Sequence, residues 1–370
     1  YLEVILNPGH PPGFFYFPSF PSSNKSEKIF ITFVEILKIL TLKTLFKFSL
    51  VLLILLSGTI VQAQDQVEQF AQDMLKIADN FAAPAAESSA YLSGAGWFTG
   101  AKVLDLWEVD LSVQGNVLLV PEKKKSVVIN NFELLRVKGG GAAEIPTAFG
   151  GNTDLVFEGE ILTQSFEFDA IDGINKQALA HPFVQASVGL PFGTEFTARF
   201  LPATEIDGVQ FSTYGVGLKH NFNQYSLNPQ PYDFQFAALL AYSKYDVNYA
   251  FEPVTIPHDI PTWSPESTLK DIDVDGNFFL LQLLTSKSLG TNGWSAFGAV
   301  GLTSFTFDYI MGGQGELLPI INSKLETLSN NELDVKGDIG VTYEKGDFLI
   351  SSMFSQGKYS NLNISLHYRL

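Results

Sequence analysis

The chain reads as an all-β protein, an antiparallel transmembrane β-barrel of about 12–14 strands with a short N-terminal helical plug segment. From Trp97 onward, apolar and polar residues alternate with a period of two. The polar side of these runs carries ionised groups in strand after strand, which suits an inner face in contact with water. An export signal precedes them, and the later chain holds no run of ~18 apolar residues that could cross a bilayer as a helix. A membrane protein without helical spans must close its backbone edges in a barrel.

The front of the chain reads as a targeting segment. It begins at Tyr1 and has no Met before Met74, so the first few dozen residues are expected to be over-extended translation. Tyr1–Ser26, with Pro8, Pro11, Pro12, Pro18 and Pro21, has no core-forming pattern. Lys38, Lys43 and Lys47 then form a basic region, Phe48–Leu56 an apolar stretch of nine residues, and Val61-Gln-Ala63 a small-residue cleavage site. The rival reading is a membrane anchor. The uncharged run Phe48–Gln64 is 17 residues, at the short edge of a spanning helix, and Ser57, Gly58, Thr59, Gln62 and Gln64 interrupt it. The expected organisation is a leader and signal peptide over 1–63, cleaved near Ala63, a helix or plug over 64–96, and the barrel over 97–370.

Composition agrees. Charged residues are 17% of the chain, below the ~25% of soluble domains, and there are 32 Phe, which a barrel can present to lipid. Net charge is −16; without residues 1–63, which hold five Lys and three Glu, 18 basic face 36 acidic side chains. Such a surface repels nucleic acid. The one basic run, Lys123 to Lys125, reads as a solvated hairpin tip. With no cysteine, disulfides, thiolate metal sites, cysteine nucleophiles and a lipid-anchored N-terminus are excluded.

Residues 66–80 predict an amphipathic helix: Val67, Phe70, Met74, Ile77 and Phe81 recur at spacings of three and four, and Pro84 is expected to end it. A small-residue stretch, Ala82 to Gly96, follows. In Glu108–Val120, Val109, Leu111, Val113, Val117 and Leu119 oppose Glu108, Asp110, Ser112, Gln114 and Asn116. Thr194–Leu201 sets Phe196, Ala198 and Phe200 against Glu195, Thr197 and Arg199. Leu333–Glu344 sets Leu333, Val335, Ile339, Val341 and Tyr343 against Asp334, Lys336, Asp338, Thr342 and Glu344. The last strand sets Leu362, Ile364, Leu366, Tyr368 and Leu370 against Asn361, Asn363, Ser365, His367 and Arg369.

The lumen-facing candidates are therefore Glu108, Asp110, Gln114, Glu195, Arg199, Asp334, Lys336, Asp338, His367 and Arg369. Turns are expected at Pro191-Phe-Gly193, Asp207-Gly208, Asn292-Gly293 and Lys345-Gly346-Asp347. Phe234, Tyr242 and Tyr343 lie near strand ends, as interface aromatics do. The chain ends inside a strand at Tyr368-Arg-Leu370, the element that barrel assembly machinery reads, with Leu in place of the commoner Phe. Residues 269–287 are ambiguous, apolar on both parities past Phe278, and a bulge at Gly276 is the device that would reverse their facing.

Gly96-Trp-Phe-Thr-Gly-Ala-Lys-Val103 running into Leu111–Pro121, with Leu190–Pro202 and Tyr214-Gly-Val-Gly-Leu-Lys-His220, resembles an outer-membrane family of the Bacteroidetes type, one of the domains of unknown function. More distantly, the chain is similar to the long-chain fatty-acid transporter barrels. The resemblance covers nearly all of 65–370. It implies a barrel of about 14 strands that admits hydrophobic solutes, with 66–96 as its plug. The chain is shorter than those transporters, and no ligand motif carries over.

Asp271-Ile-Asp-Val-Asp-Gly276 matches the opening of a calcium loop through Asp271, Asp273 and Asp275, although the twelfth position is Gln282 rather than a bidentate Glu. The same pattern suits a carboxylate ladder on a lumen strand or rim loop. His181, His220, His258 and His367 lack metal-ligand spacing, the nearest pair lying 38 residues apart. Ser365 and His367 share a strand face, as a nucleophile and base would, without an identifiable acid partner. Gly215-Val-Gly217 lacks the third glycine of a dinucleotide fingerprint, and Gly312-Gly-Gln-Gly315 is a loop signal. No motif calls for a cofactor. Expected partners are outer-membrane lipid and the barrel assembly machinery.

Four readings remain open on sequence alone. They are a passive channel or transporter for small solutes, hydrophobic ones included; a non-transporting structural or adhesive barrel; a soluble periplasmic all-β binding protein; and an envelope hydrolase.

Overall fold

The computed structural model describes Lys47 and residues 65–370, apart from 162, 207, 226–233, 259–263, 265 and 329. The export signal and its cleavage site, Lys47 excepted, lie outside the described residues.

Residues 65–93 are helical (α1). Between β1 (Val109–Leu119) and β7 (Ala178–Leu190), five short strands form two small sheets: β2 (Ser126–Ile129) pairs with β4 (Ala143–Pro146), and β3 (Arg136–Val137) with β5 (Val156–Ile161) and then β6 (Gln164–Asp169). The wall continues as β8 (Thr194–Ile206), β9 (Val209–Asn221), β10 (Phe234–Pro257), β11 (Glu266–Ser288) and β12 (Trp294–Gln314). After a short helix, α2 (Leu317–Leu325), it ends with β13 (Asn330–Lys345), β14 (Phe348–Gln356) and β15 (Ser360–Arg369). Every pairing is antiparallel, and β1 bonds to both β7 and β15, closing a barrel of ten strands.

Ten is fewer than the 12–14 that run-counting predicts. β10, β11 and β12 have 24, 23 and 21 residues, about twice the ~10 needed to cross a bilayer, so each reads as two strands. The short strands β2–β6 stand apart from the wall.

The long strands settle the ambiguous stretch. Along β11, Leu283, Leu281 and Phe279 are exposed, and the same face continues as Asn277, Asp275 and Asp273. The opposite face carries Leu284, Gln282, Leu280, Phe278, Val274 and Ile272, all buried. From Asp271 to Ser286 parity holds: Gly276 pairs in register with Tyr245 and Phe307, and the reversal falls at the irregularity Leu269/Asp271, before which the odd positions Ser267 and Leu269 are the buried ones. A bulge at Gly276 is therefore excluded, and its missing Cβ makes room for the Tyr245 ring, which a Cβ would approach to 2.1 Å. What changes along the strand is the surroundings, since the outer face passes from apolar to polar.

Neighbouring strands make the same change at the same level. On β10 it falls between Tyr242 and Lys244, and on β12 between Leu302 and Ser304; Tyr242 pairs with Phe279, and Leu281 with Leu302. At the other end, where the turns are short, Trp107, Phe192, Tyr225, Phe234, Trp294 and Phe348 are exposed. From Phe234 to Tyr242 is about 27 Å along the strand, or roughly 21 Å of height at a ~40° tilt, near the ~25 Å apolar band of an outer-membrane barrel.

The interior is filled. Phe70, Met74, Ile77 and Phe81 of α1 join the wall's Phe278, Phe305, Phe307 and Tyr309 in one buried cluster. The helix is buried on most sides, as expected of an element without a solvated face. It also runs through Pro84 instead of ending there. A proline frees carbonyls in the preceding turn, and here the N–H of Ala148 donates to the carbonyl of Phe81 at 2.9 Å. The Tyr245 hydroxyl donates to the carbonyl of Ala86 at 3.1 Å. Ala82, Ala86 and Ala90 are buried, small enough to let the helix thread the barrel.

Candidate functional site

The wall's inward residues meet α1 and the segment that follows it in three tiers. At the short-turn end, His367 Nδ1 lies 2.7 Å from Asp110 Oδ1, and Arg369 bridges Asp110 at 3.7 Å and Glu344 at 2.9 Å. Glu195 pairs with Lys219 at 3.0 Å and accepts the Leu104 N–H at 3.1 Å, while Glu108 accepts that of Asp105 at 2.8 Å. These groups and residues 97–104 enclose a cavity of about 90 Å³.

In the middle tier, Arg199 is 3% exposed. Its guanidinium donates to the carbonyls of Ser93 (3.0 Å) and Ala95 (2.8 Å) and to Gln185 Oε1 (3.0 Å), with Trp97 and Phe183 on its faces. It thereby caps the C-terminal end of α1, where unpaired carbonyls and the helix dipole favour a cation. Asn116 donates to the Leu92 carbonyl, and Asn363 to Gln114 and Asn116. Lys336 and Asp338 pair at 2.6 Å, both buried, and Gln282 donates to Asp338 at 2.5 Å.

The third tier lies at the loop end. Tyr91 donates to Asp334. Glu87 accepts from Lys124 at 2.9 Å, Lys358 at 2.7 Å and Tyr359 at 2.9 Å, and Lys358 also reaches Glu332 at 2.7 Å. Burial pushes the Glu87 carboxyl up, but the hydrogen bonds and charges of Lys358 and Lys124 outweigh it and hold the group below its usual range. Lys124 is thus bound to the helix and is no solvated tip. Nearer the N-terminus of α1, Asp73 accepts the backbone N–H groups of Glu133, Leu134 and Leu135.

The carboxylates Asp271, Asp273 and Asp275 do not form a calcium loop. They lie on the regular strand β11, where alternate residues sit ~7 Å apart and cannot wrap one ion. Asp275 pairs with Lys244 at 2.6 Å and Asp273 accepts from Asn248 at 2.7 Å. Among the described residues, no group of three His, Cys, Asp or Glu could hold a metal. The ladder lies on the outer face beyond the apolar band, opposite in facing to the lumen.

Cross-strand register supplies what the sequence pattern missed. Asp110 is the acid partner of His367, whose Nε2 lies 2.8 Å from Ser365 Oγ. The three form a hydrogen-bonded chain of nucleophile, base and acid types. Ser365 is 3% exposed, and the neighbouring cavity is lined by Asp110 and His367 but not by Ser365. Lys219 lies on the inward parity of its strand and could have been found by the alternation that marked Glu195. Glu87, Asp73 and Trp97 gave no comparable signal, since their partners are remote in sequence.

The fold and its interior define a class: a closed antiparallel barrel with an apolar belt, occupied by its own N-terminal helix. The chain belongs to a family of unknown function, DUF6588, whose model matches residues 42–370. No curated protein matches it by sequence. Among solved structures it is similar to Ail, the attachment invasion locus protein of Yersinia pestis, at 9% identity and TM-score 0.26, covering 72% of this chain and 99% of that one. It is similar to the translocator domain of the autotransporter NalP from Neisseria meningitidis, at 8% identity and TM-score 0.31, covering 80% and 97%. A Pseudomonas aeruginosa FadL homologue gives 8% identity and TM-score 0.28, covering 72% and 90%.

Proposed function

We propose that the protein is a bacterial outer-membrane barrel acting as a gated, passive channel or transporter for small solutes. The membrane reading rests on the outer face, where residues such as Leu333 and Ile339 are 72% and 67% exposed. In water, a continuous apolar belt of that kind would drive association. A soluble binding protein would instead cover those side chains. Exported chains of this class are inserted by the barrel assembly machinery, and the closing strand β15 is the element it would read.

The observation that carries the gating reading is the bonding of α1 to the wall. Buried polar contacts, among them Arg199 to the carbonyls of Ser93 and Ala95, hold the helix in the bore. A solute can pass only if that segment shifts. Because Asp110, Glu195 and Asp338 are each paired with a basic side chain, the closed bore carries little of the cation preference that net charge suggests. A non-transporting barrel would share the same resting structure.

Single-channel recording in planar bilayers separates the two. Expected is a small resting conductance that rises when Arg199 is replaced by Met. A barrel that stays closed to ions and to liposome swelling in both forms is a structural one. The hydrogen-bonded Ser365, His367 and Asp110 favour a hydrolase as a second reading. Covalent labelling of Ser365 by a fluorophosphonate, abolished in His367→Ala, would establish it.

A further inference from the structure

Near the loop end, a cavity of about 60 Å³ lies between α1 and the wall. Leu92, Phe149, Ile174, Phe211 and Val247 line it together with His181. His181 is 5% exposed, and neither of its ring nitrogens has a hydrogen-bond partner. Phe211 packs edge-to-face with the imidazole, the ring centroids 4.7 Å apart.

A buried imidazole with two unmet polar atoms is costly, and such groups are rarely left so without a partner that completes them. A buried water needs two to four polar partners, and the lining side chains offer it only the minimum, His181 and Ser89. Ser89 is the other polar lining side chain besides Tyr249, whose hydroxyl is spent on the Asp172 carbonyl at 2.5 Å. A neutral imidazole presents one donor and one acceptor. A hydroxyl is both, and so can satisfy either nitrogen whichever tautomer is present.

We infer that this cavity is a binding site for a small, uncharged, mainly apolar molecule, or the end of a larger one, bearing a single hydroxyl that bonds His181. The apolar lining excludes ions. The volume is less than half the ~150 Å³ that accepts benzene and suits a ligand, or ligand end, of roughly two or three non-hydrogen atoms. The site does not depend on whether the barrel conducts, and conductance is not its readout.

The test uses the full chain in lipid nanodiscs with 15N-labelled histidine, titrated with ethanol and, separately, with xenon as an apolar filler of similar size. Expected is a saturable shift of the His181 ring nitrogens with ethanol at millimolar midpoint, while the exposed-end His220 moves only linearly. In His181→Phe, the methyl signals of Leu92 and Val247 should still respond to xenon, with the alcohol response weakened at least tenfold. Ala148→Leu, which fills the cavity and keeps the histidine, should abolish both responses and decides the matter if His181→Phe does not assemble. A His181 signal that stays still or moves in parallel with His220 overturns the proposal. So does an alcohol response that either substitution leaves at full strength.

Discussion

The guanidinium of Arg199 stacks 3.6 Å from the ring centroid of Trp97 while its nitrogens hold the carbonyls of Ser93 and Ala95. No carboxylate lies within ion-pair distance of it among the described contacts, so the C-terminal dipole of α1 and two aromatic faces serve as its counter-charge. The cation thus belongs to the wall, while the carbonyls and the indole that face it belong to the plug and the segment just after it.

Replacing Arg199 by Met should leave the Ala95 carbonyl without its donor and the Ser93 carbonyl with only Trp97 Nε1 and Ser243 Oγ, loosening α1 by about 1–3 kcal/mol. Lysine keeps the charge but not the fork, so Arg199→Lys should recover only part of the loss. Amide hydrogen exchange across 65–93 measures both; unchanged protection in Arg199→Met would show that the arginine does not hold the helix.

The chain has no cysteine, which makes a covalent lock clean. Ser93 Oγ and Thr213 Oγ1 lie 3.4 Å apart, one on α1 and the other on β9. The double variant Ser93→Cys, Thr213→Cys should cross-link on oxidation and hold conductance at its resting value, with reduction restoring opening. Equal conductance in both redox states would mean that solutes bypass the helix.

Acid should loosen the loop-end tier. Glu87 is held below its ordinary range in the folded barrel, so its stabilising effect is complete above the unfolded value of about 4.3 and disappears as pH falls through the folded one. Protection of α1 should therefore be level from pH 7 to about 5 and decline below about pH 4.5. Glu87→Gln should cost about 2–3 kcal/mol at neutral pH and flatten that part of the acid response. Matching acid profiles for Glu87→Gln and the parent chain would assign the loss to other carboxylates.

On the outer face of β11, two positions four residues apart should behave oppositely. Leu281 lies within the apolar belt and Asn277 beyond it, so Leu281→Arg should cost about 2–4 kcal/mol of folding in lipid. Asn277→Arg should stay within about 0.5 kcal/mol of the parent. Reversible unfolding in bilayers reads both, and equal penalties would misplace the membrane boundary.

Much of the barrel is legible in the chain. The alternation Leu111/Ser112/Val113/Gln114 assigns two faces, and the same rule places Glu195, Arg199, Lys336, Asp338 and His367 on the buried side. The rule fails at Asp271–Leu284 because it presumes that one side of a strand is always wet. Phe278 and Val274 are apolar because they face a filled interior, in one buried cluster with Phe70 and Phe81 of α1, and Asp273 and Asp275 are polar because that part of the strand has left the belt. Asp110 could not be matched to His367 either, since their sequence positions differ by 257 and only strand register brings them together.

Local pattern by itself therefore determined the strands, their facing within the belt and an amphipathic helix ahead of them, because alternation and helical period are properties of neighbouring residues. Tertiary structure alone decided that ten strands close, that the helix continues past Pro84, and which wall groups hold it. Those outcomes rest on partners remote along the chain: the Ala148 N–H that takes up the Phe81 carbonyl, the Arg199 fork that caps Ser93, and the neighbour on each side of β1. A carbonyl freed by proline or a cation without a carboxylate is unfavourable until such a partner arrives, and only the closed barrel delivers it.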